Sequence, residues 1–97
     1  KLSPKSTHKP HRLISIIVDR DHSQKVSLQI INMGAPGANI NYFQFYIQTD
    51  STQHQEFAQI NIVVNEPSAI ELEKRILEEV EQDLMIFTQP VTGFIAY

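Results

Sequence analysis

Two short apolar runs rich in β-branched residues, Leu13-Ile14-Ser15-Ile16-Ile17-Val18 and Met85-Ile86-Phe87-Thr88-Gln89-Pro90-Val91, constrain this chain more than any other feature. Each reads as a strand. A helical pattern follows the first and precedes the second, which marks a sheet with crossover helices. In the first run Ile14, Ile16 and Val18 point one way and Leu13 and Ile17 the other, so that strand is apolar on both faces and central. Pro90 has no amide donor, which puts its end of the last strand at an edge or on a bulge.

The segments between these runs alternate in kind. Asp19, Asp21 and Ser23 offer helix caps, and Val26, Ile30 and Met33 follow at helical spacing, with Leu28 and Ile31 widening the stripe. Gly34 suits the left-handed position after a helix, and Pro36 prevents continuation, so Gly34 to Asn39 is expected to be a tight turn rich in exposed backbone. From Ile40 to Thr49, Asn41, Phe43, Phe45 and Ile47 alternate with Tyr42, Gln44, Tyr46 and Gln48. A polar connection over Asp50 to His54 leads to a second alternating run from Phe57, and the two runs form an antiparallel hairpin. Pro67 fits a first helical turn, Ser68 and Glu71 form a capping box, and Ala69, Leu72, Ile76 and Val80 make the buried stripe of the second helix. The acidic residues from Glu71 to Glu81 read as a solvated helix face rather than a metal site.

Short connections and right-handed crossovers turn this order into an α+β, ferredoxin-like βαββαβ fold. It has a four-stranded antiparallel sheet with two helices on one face and the first and third strands in the middle. Two helices cover one side only. Leu13, Ile17, Tyr42, Tyr46, Phe57 and Val63 are therefore expected to leave an apolar patch on the other side, closed by self-association.

Ninety-seven residues fit one domain, assigned to 13–97, and the two-proline, lysine-rich start assigns 1–12 to a flexible N-terminal arm. With Lys1, Lys5, Lys9 and Arg12 in that arm, the remainder is strongly acidic, which argues against a nucleic-acid surface. The chain lacks cysteine, and no apolar run has membrane-spanning length, so a cytoplasmic location is the expectation. Once the arm with His8 and His11 is set aside, no pair among His8, His11, His22 and His54 has a recognised metal spacing. No serine sits in a nucleophile elbow and no acid pair flanks an apolar cleft, so the chain is not expected to be an enzyme, and no cofactor is assigned.

Leu13 to Val18, then Lys25-Val26, then Gly34-Ala35-Pro36-Gly37-Ala38-Asn39-Ile40, together with Ile86-Phe87-Thr88-Gln89-Pro90-Val91, resemble the PII nitrogen-regulator superfamily. The likeness spans Leu13 to Tyr97. It implies a homotrimer of ferredoxin-like subunits with sheets facing inward, and a small-ligand sensor whose site includes Gly34, Gly37, Ala38 and Asn39. Ala38 and Asn39 stand where the family has glycine and threonine, and the long effector loop is cut to a short hairpin turn. Gln82 to Met85 replaces the glycine-rich, lysine-bearing phosphate loop, so nucleotide binding is expected to be weak or absent. The alternatives are an amino-acid-binding regulatory domain of the ACT type, against which Asp19-Arg20-Asp21-His22 lacks the usual Asp-x-Pro-Gly, and a ligand-free structural trimer that docks a partner protein.

Overall fold

The computed structural model describes residues 8–47 and 53–94, and the side chains of 10–44 and 55–91. Along the described residues run β1 (His8–Asp19), a 3-10 turn (Arg20–His22) that opens α1 (Ser23–Asn32), β2 (Asn39–Ile47), β3 (Gln53–Asn65), α2 (Glu66–Glu79) and β4 (Met85–Phe94). The sheet order is β2-β3-β1-β4 with every pairing antiparallel. This is the expected ferredoxin-like arrangement, with β1 and β3 central and Pro90 on an edge strand.

β1 is longer than its apolar run. His8 to Arg12 extend the strand by pairing with Pro90 to Phe94 of β4, within the stretch expected to be an arm. Backbone pairing overrides the polar side chains there, and Arg12 gains local partners: its Nη2 donates to Thr88 Oγ1 at 2.7 Å and its Nε lies 3.6 Å from Glu73 Oε1. Residues 1–7 lie outside the described part.

The core sits between the sheet and the helices. Ile14, Ile16 and Val18 of β1 meet Ala58, Ile60, Ile62 and Val64 of β3, under Val26 and Ile30 of α1 and Ala69, Leu72 and Ile76 of α2. Leu28 and Ile31 do not widen the α1 stripe, being 63% and 43% exposed. Leu28 stands two positions from Val26, about 200° round the helix. Ser27 is buried instead, and its hydroxyl has no hydrogen-bond partner among the described residues.

The helix ends also depart from expectation. α2 is capped by Asn65, whose Oδ1 accepts from the Ser68 amide at 3.0 Å, so Ser68 receives the cap rather than providing it. Neither Asp19 nor Asp21 caps the first helical segment, whereas Ser23 donates to the Arg20 carbonyl at 2.7 Å. At the end of α1, Gly34 N donates to Ile31 O and Ala35 N to Ile30 O, with Gly34 at φ 108° and Ala35 buried. That pair of bonds is a Schellman motif, and the positive φ requires glycine.

Three stability outcomes follow, each read by urea denaturation. Gly34→Ala lowers stability by roughly 1–2 kcal/mol because a Cβ strains that backbone. Gly37→Ala leaves stability unchanged or raises it by up to about 1 kcal/mol, since its φ is not positive and a Cβ there meets nothing within 4 Å. Ser27→Ala raises stability by about 1 kcal/mol by removing an unpartnered buried hydroxyl.

Candidate functional site

Cross-strand partners share a face, so the register builds the open side of the sheet row by row. Val63, Leu13 and Gln89 form one row, Asn39, Asn61, Ser15 and Phe87 the next, and Asn41, Gln59, Ile17 and Met85 a third, with Phe43 beside Phe57 below. The Phe43 and Phe57 rings stack at 5.7 Å between centroids and 25° between planes. Val63, Met85 and Phe87 are 53%, 57% and 52% exposed. Covering side chains left half out of water gains about 1 kcal/mol for each.

Leu13, Ile17, Phe57 and Val63 lie on the open face as expected. Tyr42 does not. Its partner is Ala58 of the helix-side row, its hydroxyl is 3.4 Å from Ser23 Oγ, and the Arg20 guanidinium lies 4.6 Å above its ring. Phe43 takes the place assigned to it. Alternation divides each strand into two faces but does not say which face of β2 matches which face of β3, and a one-residue change of phase exchanges them. The side chain of Tyr46 lies outside the described part.

A polar network runs through this apolar surface. Ser15 Oγ donates to Asn61 Oδ1 at 2.7 Å, and Gln59 Nε2 donates to the same oxygen at 3.2 Å. Towards the β2 edge Asn41 Nδ2 donates to Asn39 Oδ1 at 2.9 Å. A shallow hollow of 350 Å³ lies across Leu13, Ser15, Ile17, Gln59 and Phe87.

The turn residues named from the sequence fall on both sides of the sheet. Gly34 lines a groove of 220 Å³ on the helical side with Met33, Ser68, Glu71, Leu72 and Arg75. Arg75 closes that groove: its Nη1 donates to the Met33 carbonyl at 3.2 Å and its Nε to Glu79 Oε2 at 2.8 Å. Gly37 is exposed, and Ala38 packs partly against the core. Asn39 opens β2 on the other side, exposed and paired with Asn61. The four residues do not converge on one cavity.

The loop before β4 borders a hollow of 260 Å³ formed by Ile17, Val18, Asp19, Phe57, Asp83, Leu84 and Met85. Its ionisable groups are two carboxylates, Asp19 and Asp83. Asp19 and Asp21 also line a neighbouring hollow with Gln55 and Glu56, where Arg20 is 3.6 Å from Glu56. Among the described residues no three His, Asp or Glu side chains gather as metal ligands would. Sequence reasoning missed the Ser15–Asn61–Gln59 network. Its signal was present as a serine inside the apolar first strand and two carboxamides on the polar phase of the third.

The fold that carries this surface is the one shared by PII-like and CutA proteins. A signalling protein of PII-like type from Thermus thermophilus superposes with a TM-score of 0.69 at 16% identity, covering 89% of this chain and 91% of that one. CPII, a nitrogen regulatory PII-like protein from Thiomonas intermedia bound to ADP, AMP and bicarbonate, gives 0.68 at 13% identity, with 90% and 98% covered. CutA1 from Oryza sativa gives 0.67 at 15% identity, with 89% and 84% covered. No family model matches the chain, and no curated protein matches it.

One pH effect belongs to the groove. The hydrogen bond from Arg75 holds the Glu79 carboxyl below its ordinary pKa. Stability from this group is therefore present above the unfolded carboxylate pKa and lost as pH falls through the lowered folded value. An NMR titration is expected to return the Glu79 carboxyl to the ordinary range in Arg75→Gln.

Proposed function

We propose that this chain is a PII-like, trimeric, cytoplasmic regulatory protein that acts by binding rather than catalysis, with a small-ligand site that has diverged from adenine nucleotides. The observation that carries this reading is the open sheet face, where Leu13, Ile17, Val63, Met85 and Phe87 form a surface without charge. A fold shared with PII-like signalling proteins supports it, and so does a protein of that fold holding ADP, AMP and bicarbonate. Three copies related by a threefold axis bury such faces around one centre. Among the described residues no helix is long and apolar enough to cross a membrane.

Divergence from nucleotides rests on charge. The hollow before β4 is lined by Asp19 and Asp83 and by no lysine or arginine, in a segment without glycine, so it sets two carboxylates and no cation against a polyphosphate. Asn39 remains available for a neutral polar or heterocyclic effector, because an amide both donates and accepts.

Light scattering of the unmodified chain is expected to give the mass of three copies, and Phe87→Glu or Val63→Glu to shift it towards monomer. A stable monomer for the unmodified chain would overturn the trimer. Calorimetry is expected to show no ATP or ADP binding in the micromolar range. A thermal-shift screen of nucleotides, amino acids and metal ions is expected to give a stabilising compound whose effect disappears in Asn39→Ala; a shift that survives the substitution removes Asn39 from the site.

A further inference from the structure

Within the open face, the three rows that span Leu13 to Ile17 contain no charged side chain. The ion pairs Arg12–Glu73 and Arg75–Glu79 involve helix α2, on the other side of the sheet. Asp19, opposite Phe57, bounds these rows at the end of β1. On a chain of net charge −3, three neutral rows favour a second copy as the occupant of the face, because identical acidic surfaces repel while identical neutral ones do not. Hydrogen-bonding capacity points to the same partner. Asn61 Oδ1 already accepts from both Ser15 and Gln59, whereas among the described residues Asn61 Nδ2 has no acceptor and Gln59 Oε1 no donor. One copy thus presents a donor and an acceptor side by side, and another copy presents their complement.

Resting on the trimer reading above, we propose that the Ser15–Asn61–Gln59 network fixes the arrangement in which copies of this chain associate, through Asn61 Nδ2 of one copy donating to Gln59 Oε1 of the next. The apolar rows cannot do this alone. Contacts among Leu13, Ile17, Val63, Met85 and Phe87 are non-directional and survive a slide of one residue along the strand, about 3.3 Å. The amides do not survive it, because a slide sets them against apolar side chains with their remaining groups unpartnered. A polar group buried in an interface selects one register and copy number in this way, at some cost in affinity.

Sedimentation velocity and native mass spectrometry of the full chain test the inference. The unmodified chain is expected to give one mass, that of three copies. Asn61→Leu is expected to give two or more masses, with the concentration for half-dissociation lowered about tenfold because an apolar group replaces a buried polar one. Gln59→Met serves as the second variant, with circular dichroism verifying that each is folded, and the same spread is expected. A monomeric unmodified chain would overturn the trimer and this inference together. A trimeric chain whose folded variants keep the single three-copy mass overturns this inference alone and leaves the trimer standing. Dissociation of the variants to monomer overturns it too, since the network would then be a source of affinity rather than of arrangement.

Discussion

A four-stranded sheet with both helices on one side leaves a second side without cover, and most of this molecule can be understood from how the sequence treats that asymmetry. On the covered side the central strands present branched aliphatics almost without interruption, from Ile14 to Val18 on β1 and Ala58 to Val64 on β3. Burial there is nearly complete, and the stability of the fold depends on it. The uncovered side draws on the alternate residues of the same strands, so it cannot be made fully polar without affecting strands chosen for β propensity. Leu13, Ile17, Phe57 and Val63 accompany Ile14, Ile16, Ala58 and Ile62 in sequence.

Charge is distributed to match. Arg12, Glu73, Arg75 and Glu79 are placed around α2, where long side chains remain partly in water. Carboxylates recur at the far end of β1, where Asp19, Asp21, Glu56 and Asp83 border two adjoining hollows with Arg20 as the cation in contact. A site of that composition suits neutral or cationic ligands better than phosphates. The open face between them carries carboxamides and a hydroxyl, groups that can be buried without an ionic penalty provided they find partners.

Element order, sheet topology and the α2 stripe were legible in the sequence because each rests on a local pattern with one physical meaning. The phase of β2 against β3 was not. It is set by the pairing register of the two strands, and either phase satisfies the alternation of each strand taken alone. The alternation alone therefore puts Tyr42 on the open face, although it packs beside Ser23 and Arg20. The α2 cap was missed for a related reason. Asn65 and Ser68 are both good capping residues, and only the position of the first helical turn decides between them. The extension of β1 to His8 was hidden because its determinant, the run from Pro90 to Phe94, lies far away at the other end of the chain.

The turn after α1 shows how one short motif can serve two ends. Gly34 is fully explained by the Schellman bonds to Ile30 and Ile31, and its positive φ would call for glycine in a protein with no ligand at all. Gly37 has no such requirement, so its flexibility or openness is not dictated by the fold. Asn39 differs again. As the first residue of an edge strand it faces the side opposite Gly34, one row from Asn41 and level with Asn61 and Ser15. A ligand recognised by Asn39 would therefore approach over the uncharged rows of the open face, where copies of the chain are proposed to meet. Binding there and assembly would share surface, so any effector held at Asn39 would act on the contact between subunits rather than on a pocket enclosed within one of them.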